Sequence, residues 1–161
     1  SGNAITFGSL VVFNNARSSW ISSTYDPVAN KVVISYRDDD NRSYGTAVVG
    51  TVLGDSITFG SPEVFNNAST NNTSTTYDSV NSKVVISYTD NSNSGYGAAV
   101  VGAVSGDSIT FNTPEVFSRA SSKEISSTYD PVNNNVVIAY RDGDNSDYGT
   151  AVTYGIAAGE P

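Results

Sequence analysis

The chain has 161 residues, of which 38% are hydrophobic, and this is enough for one domain with a core. Its formal net charge of −8 offers no basic surface for nucleic acid or an anionic membrane, so neither is expected as a partner. Cysteine, methionine and histidine are absent, which excludes disulfides and thiolate or imidazole metal sites. We expect no membrane insertion, because no apolar stretch reaches the roughly 18 residues of a spanning helix.

A sequence unit of 52 residues occurs three times, without insertion or deletion between copies. Its first residues are Ile5, Ile57 and Ile109. A period near 50 residues is typical of one supersecondary unit that is repeated so that each copy packs against the next. We therefore interpret the chain as a single repeat domain. Its copies span residues 5–56, 57–108 and 109–161.

Each copy is predicted to contain four short strands separated by turns. The stretch 5–13, which precedes the first complete set, has the pattern of an outer strand. No segment has helical periodicity. Proline and glycine mark the turns, because proline fixes the backbone angle and glycine tolerates tight geometry. The strands of the first set are predicted at 21–25, 31–37, 44–52 and 57–65, the last being interrupted by proline.

The second and third strands of each set are apolar on both faces, as in 32–34 and 47–49. A strand of this kind is covered on both sides. Four-stranded antiparallel sheets stacked face to face around an axis are the blades of a β-propeller. We therefore predict an all-β fold with three propeller blades per chain. A monomeric β-trefoil, which also has three four-stranded units, is the alternative.

A short motif between the third and fourth strands resembles a known blade feature. Gly106, Asp107 and Phe111 in one copy, and Gly54-Asp55 in another, are similar to a degenerate Asp-box of sialidase-like and lectin-like propellers. The spacing is one residue short, and the usual glycine after the aspartate is missing. In that family the motif is structural, so the resemblance implies blades and implies nothing about catalysis.

The phase of the repeat predicts a homodimer. Propellers have about four to eight blades, and six is the only multiple of three in that range. The chain starts with the predicted outer strand 5–13 and ends after a predicted third strand, 150–154. We expect strand 5–13 to complete the last blade of a second copy, which gives a six-bladed ring without open sheet edges. A monomeric mass would contradict the ring and favour the trefoil.

The copies differ most in two stretches, which project from one face of a propeller blade. Such divergence favours a binding surface, although loops also diverge when nothing packs on them. One stretch precedes the first strand, at 17–21, 69–73 and 121–125. The other joins the second and third strands, at 37–43, 89–95 and 141–147.

Aromatic and polar residues in or beside these stretches suit a sugar ligand, because the ring covers apolar C–H surface and polar groups bind hydroxyls. Trp20 is the only tryptophan and the best candidate for sugar stacking or a partner contact. Tyr36, Tyr88 and Tyr140 recur nearby and are equally explained by packing between blades. The candidate ligand-binding residues are Trp20, Arg37, Asp38, Asp40, Tyr44, Asp90, Tyr96, Arg141, Asp142, Asp144 and Tyr148.

Alternating aspartates make calcium the one cofactor to consider. The spacing of Asp38 and Asp40, and of Asp142 and Asp144, is similar to the calcium loop of integrin-type propeller repeats. That loop needs acidic or Asn groups where this chain has other residues, such as Arg42. Solvated Asx turns explain the aspartates as well, and we predict no metal as the first interpretation.

The sequence favours a non-enzymatic recognition module that binds glycans. There is no histidine, cysteine or nucleophile motif. A glycosidase needs two carboxyl groups roughly 5–10 Å apart, and no pair is distinguished from its copies in the repeat. Two alternatives stay open: a structural or attachment protein of a virion or cell surface, and a carboxylate-based glycosidase. The first alternative would place the protein outside the cell or on a virion.

Overall fold

The computed structural model describes residues 4–156, which form an all-β fold of antiparallel sheets. A single turn of 3₁₀ helix, Asn91–Asn93, interrupts the strands. No helix in the described residues is long and apolar enough to cross a membrane. The strands are β1 (Ser18–Asp26), β2 (Lys31–Asp38), β3 (Tyr44–Leu53), β4 (Ser56–Phe59), β5 (Glu63–Asp78), β6 (Lys83–Asp90), β7 (Tyr96–Ser105), β8 (Ser108–Phe111), β9 (Glu115–Ser118), β10 (Ser122–Asp130), β11 (Asn135–Asp142) and β12 (Tyr148–Tyr154).

The strands fall into three sheets that follow the sequence repeat. In the first sheet, β1, β2 and β3 are adjacent, and β4 and the first part of β5 both pair with β3. The second sheet contains the rest of β5, then β6 and β7, with β8 and β9 both on β7. The third sheet is β10, β11 and β12. Strand β5 therefore links the first sheet to the second.

The sheets stack face to face because their middle strands are apolar on both faces, as the sequence predicts. Alternate residues of β6 enter different clusters, since successive side chains of a strand point to opposite faces. Val84 and Ile86 pack with Val33 and Val49 of the first sheet. Val85, between them, packs in the cluster that contains residues of the third sheet. One strand thus contributes to both hydrophobic cores.

The predicted strands agree with the observed ones, with two differences at the outer edge. The predicted strand 57–65 is divided into β4 and the start of β5, because Pro62 has no N–H for a continuous ladder. Residues 4–13, which include the predicted strand 5–13, form no strand within the single chain. Pairing of that stretch with a second copy stays a prediction.

Hydrogen bonds between neighbouring sheets repeat with the sequence. The backbone N–H of Thr75 donates to Ser22 Oγ at 2.9 Å, from the second sheet to the first. One repeat later, the N–H of Ser127 donates to Ser74 Oγ at 2.8 Å. The first strand of each sheet thus lies beside the first strand of the next, with serine hydroxyls replacing a backbone ladder.

Asp78 is the last residue of β5 and accepts hydrogen bonds from the turn that follows. We expect its carboxylate to make the free energy of unfolding depend on pH in the acid range. Its buried carboxylate accepts from the backbone N–H of Val80 and of Asn81, each at 3.0 Å, and from Asn81 Nδ2 at 2.7 Å. Burial raises the pKa of Asp78, but these hydrogen bonds outweigh it and the net pKa is lowered.

Because the folded pKa lies below the unfolded value of about 3.9, the contribution of Asp78 is complete above that pH and is lost as pH falls through the folded pKa. We expect Asp78→Asn to lower the free energy of unfolding by about 1–3 kcal/mol at pH 7. Urea unfolding from pH 7 to pH 3 should show this difference shrinking below about pH 4. Asp55→Asn, at an exposed turn, is the control; a pH-independent difference for Asp78→Asn would contradict the assignment.

Candidate functional site

The first strand of each sheet contains a β-bulge at the same place in the repeat. The register shifts between Ser19 and Ser22 in β1, and at the equivalent places in β5 and β10. A bulge adds one unpaired residue and redirects its side chain. At each bulge that residue has left-handed backbone angles: φ is 52° at Trp20, 49° at Asn72 and 53° at Glu124.

Two of these three bulge residues are unsuited to that conformation. Left-handed angles bring Cβ close to the backbone in every residue but glycine, and the short side chain of asparagine compensates through local hydrogen bonds, which tryptophan and glutamate do not form as readily. Such strain costs about 1–3 kcal/mol per residue and clusters at functional sites. Trp20 and Glu124 are therefore candidates for residues kept for binding, at a position where asparagine or glycine would stabilise the fold better.

The three bulge residues line one cavity of about 240 Å³. The cavity opens between the sheets and contains members of both divergent stretches. In its lining, amide, hydroxyl and charged groups surround a single indole. The lining residues are Trp20, Asn71, Asn72, Thr89, Asn91, Gly95, Ser121, Lys123, Glu124 and Arg141.

Hydrogen bonds fix the polar wall of the cavity. Asn72 Nδ2 donates to Thr89 Oγ1 at 3.0 Å, and Asn72 Oδ1 accepts from the backbone N–H of Glu124 at 3.3 Å. The amide of Asn72 thus joins the second sheet to the third. On the other side, Thr73 Oγ1 donates to the carbonyl oxygen of Trp20. These contacts hold the bulges of successive sheets in one row.

Arg141 is the cation best placed to act on a ligand. Its Nε lies 3.7 Å from Glu124 Oε1, and one terminal nitrogen lies 3.4 Å from Asp147 Oδ1, both longer than a strong ion-pair hydrogen bond. Nε is buried and has no hydrogen-bond partner among residues 4–156. Arg37 lies outside the cavity: its Nη1 donates to Asn71 Oδ1 at 2.6 Å, and its Nε, also buried without a hydrogen-bond partner among the described residues, lies 2.6 Å from Asp39 Oδ1.

The predicted aspartates mostly serve their own loops. Asp38 accepts from the N–H of Asn41 at 3.3 Å, Asp90 from that of Ser92 at 3.1 Å, and Asp142 from that of Asp144 at 3.1 Å. These are Asx-type turn contacts. Asp40 instead forms an ion pair with Arg17 at 2.8 Å, while Asp144 is exposed. Among residues 4–156, no three carboxylates converge on a point where a metal ion could bind.

The recurrent tyrosines are placed for packing, and none of them lines the cavity. Tyr36, Tyr88 and Tyr140 are buried, each against a phenylalanine whose ring centroid lies 5.1–5.3 Å away. Burial raises the pKa of Tyr36 to about 12. Tyr44 and Tyr96, at the starts of β3 and β7, are half-buried, and Tyr148 at the start of β12 is exposed.

Of the candidates from the sequence, the structure therefore brings only Trp20 and Arg141 into the cavity. Asn72, Lys123 and Glu124 line it and were not among the candidates, although all three lie in the divergent stretches. Their signal was the disagreement between copies at two neighbouring repeat positions, and not their residue type. Aromatic and acidic residue types instead indicate the turn-forming aspartates and the packed tyrosines, which lie outside the cavity.

Comparison with known proteins adds no family to this description. No protein-family model matches the chain. A search of curated proteins found no significant match.

Proposed function

We propose that each sheet is a blade of a β-propeller. Three observations support this: the sheets stack face to face, their first strands are adjacent, and the hydrogen bonds between them repeat every 52 residues. A β-trefoil needs a closed barrel, and the strands of residues 4–156 form open sheets. Three blades do not close a ring, so we propose that two chains form one ring of six blades.

We propose that the protein is a non-enzymatic recognition module that binds glycans in the cavity between the bulges. The observation that carries this proposal is Trp20, about half exposed at the cavity and held in left-handed backbone angles. Its indole can cover the apolar face of a sugar, as aromatic rings do for ligands with C–H surface. The surrounding amides, hydroxyls and Arg141 supply donors and acceptors for sugar hydroxyls.

Trp20→Asn tests this function, because copy two already has asparagine at the equivalent position, Asn72. We expect glycan affinity to fall at least tenfold, or about 1.4 kcal/mol, because the stacking surface is lost. We expect the free energy of unfolding to rise by about 1 kcal/mol, because asparagine tolerates left-handed angles. A glycan array followed by calorimetry, and urea unfolding, measure the two effects.

The expected gain in the free energy of unfolding of Trp20→Asn distinguishes loss of the binding site from loss of the fold. Tyr25→Ala is the control, since Tyr25 is an exposed aromatic residue of the same strand that does not line the cavity. We expect this control to bind as the original protein does. Unchanged glycan binding by Trp20→Asn would contradict the proposed site.

A structural or attachment role is the second candidate, and the exposed apolar side chains near the N-terminus favour it. Ile5, Phe7 and Leu10 are largely exposed in the single chain, as expected of a surface that assembles. A glycan array without any signal would favour this role over recognition. Hydrolysis of a glycoside would instead favour the glycosidase, for which the turn contacts of Asp38 and Asp142 give no support.

A further inference from the structure

The third sheet has an empty cavity where the first and second sheets hold a phenylalanine ring. A β-carbon built at Gly45 would lie 2.5 Å from the ring of Phe65, and one at Gly97 would lie 2.4 Å from the ring of Phe117. At Gly149, the equivalent residue, it would meet no atom of the described chain within 4 Å. A cavity of about 300 Å³ borders Gly149 instead. Glycine at this repeat position therefore admits an aromatic ring that the third sheet lacks.

The corresponding phenylalanine is Phe13, at the start of the chain. Phe13 packs on Tyr36 with ring centroids 5.1 Å apart, as Phe65 packs on Tyr88 at 5.2 Å. One side of the Phe13 ring thus makes the same contact with a tyrosine as Phe65 makes in the next copy. The other side, where Phe65 covers Gly45, faces no glycine in the part of the chain that the structure describes.

The stretch before Phe13 is also in its repeat position. Gly8 lies against the carbonyl oxygen of Asp55, just as Gly60 lies against that of Asp107. Residues 8–13 thus have the placement that 60–65 have in the next copy, although they pair with no strand of their own chain. Because the start of β5 pairs with the third strand of its sheet, residues 8–13 need the third strand of another sheet as their partner. Among the described residues, β12 is a third strand with one unpaired edge.

Hydrogen-bonding groups on β1 of the first sheet and on β10 of the third sheet also complement each other. The N–H of Thr75 donates to Ser22 Oγ, and the N–H of Ser127 donates to Ser74 Oγ. The next bond in this series would run from the N–H of a residue equivalent to Thr75, which is Ser23, to Ser126 Oγ. Both Ser23 and Ser126 are exposed in the single chain.

We infer that the occupant of the third sheet is a second copy of this chain, and this inference rests on the proposed six-bladed ring. The partner's Phe13 fills the cavity over Gly149, and the N–H of the partner's Ser23 donates to Ser126 Oγ. The same contacts recur at the opposite side through the two-fold axis. The repeat places both groups of this second copy, the ring of Phe13 and the backbone N–H of Ser23, opposite their partners on the third sheet.

Tyr154 limits how far this contact extends along β12. In the first sheet the equivalent residue is Gly50, whose added β-carbon would lie 2.8 Å from the side chain of Ile57. Tyr154 packs toward the hydrophobic cluster of the third sheet and occupies this space itself. The contact between copies is therefore centred on the partner's Phe13, and the partner's Ile5 is not held as Ile57 is.

Engineered disulfides test the contact directly, because the chain has no cysteine of its own. In the variant with Ser23→Cys and Ser126→Cys, we expect oxidation to give a covalent dimer. The matched variant with Ser74→Cys and Ser127→Cys should form a disulfide within one chain, since those two hydroxyl oxygens are 2.9 Å apart. If only the matched variant is oxidised, the docking arrangement is wrong.

Native mass tests the six-bladed ring of two chains, and one further variant tests the contact at Gly149. We expect the original protein to have twice the chain mass of 16.9 kDa, and Gly149→Leu to be a folded monomer because its side chain fills the cavity. Val132→Leu, at an exposed turn, should stay dimeric. A monomeric original protein, or an open-ended series of multimers, would overturn the two-fold ring. A dimer that survives Gly149→Leu would overturn only the contact, and neither result alters the glycan test with Trp20→Asn.

Discussion

Replacing Phe65 with alanine is expected to lower the free energy of unfolding by about 3–5 kcal/mol, the largest effect among the changes considered. Phe65 is only 6% exposed and lies between two sheets. Its ring covers Gly45 on one side and meets Tyr88 at 5.2 Å on the other, with Phe111 at 5.8 Å. The truncated side chain would leave a cavity between the sheets that neither backbone can close.

Urea unfolding of Phe65→Ala, followed by tyrosine fluorescence or circular dichroism, measures this loss. Phe7→Ala is the matched control, because Phe7 is 91% exposed in the single chain. Both variants should be unfolded at a concentration at which their native mass is that of a monomer, because Phe7 belongs to the surface proposed to assemble. We expect the control to change the free energy of unfolding by less than about 0.5 kcal/mol. Similar losses for the two variants would show that the ring of Phe65 does not hold the sheets together.

Replacing Gly97 with valine is expected to lower the free energy of unfolding by about 1–3 kcal/mol through overpacking. The first added carbon would lie 2.4 Å from ring atoms of Phe117 and 2.9 Å from Ser122 Oγ. Gly97 lies inside β7 and is not among the residues with positive φ, so its backbone conformation suits valine. Valine also favours strands, so a loss of stability would come from the contact with the ring.

Gly149→Val is the matched control for Gly97→Val, since it makes the same change at the equivalent residue, where the added carbon meets no atom of residues 4–156 within 4 Å. Both variants should be unfolded at a concentration at which their native mass is that of a monomer. There we expect Gly149→Val to change the free energy of unfolding by less than about 0.5 kcal/mol. An equal loss at both sites would contradict the idea that the glycine admits a phenylalanine ring.

The two glycine positions connect stability with assembly. A phenylalanine that covers a glycine of its own sheet packs on a tyrosine of the next sheet, from the first sheet to the second and from the second to the third. Among the described residues this arrangement is incomplete at Phe13, which covers no glycine, and at Gly149, which no ring covers. A contact that stabilises the fold inside the chain is thus available to join two chains. The proposed glycan cavity is lined by residues of all three sheets, so stacking of the sheets also positions the proposed site.

Much of the fold could be predicted from the sequence, because the relevant signals are local. Turns with proline, glycine and aspartate fix where the strands end, and Asp26 and Asp78 bind the turns that follow them. The double-sided apolar pattern of 32–34 predicted stacked sheets, since such a strand has no face for water. The division of the outer strand at Pro62 was also visible as an interruption.

The candidate site was less predictable. Trp20 and Arg141 could be predicted, because Trp20 is the only tryptophan and both residues lie in the divergent stretches. Nothing local showed that Asn72 and Glu124 would meet them, because a bulge depends on contacts from the neighbouring sheet, such as that of Thr73 with the carbonyl of Trp20. The aspartates of the loops between the second and third strands have oxygen atoms suited to a ligand, but Asp38, Asp90 and Asp142 accept hydrogen bonds from their own turns.

The sequence by itself determined the all-β class, the strand positions and the threefold repeat, because turn chemistry and apolar periodicity act over a few residues. Only the tertiary structure decided which residues share the cavity and that Gly149 lacks the ring that its two equivalents receive. Those features depend on contacts between residues about one repeat apart. The strand pattern of one copy does not predict how the next copy packs against it.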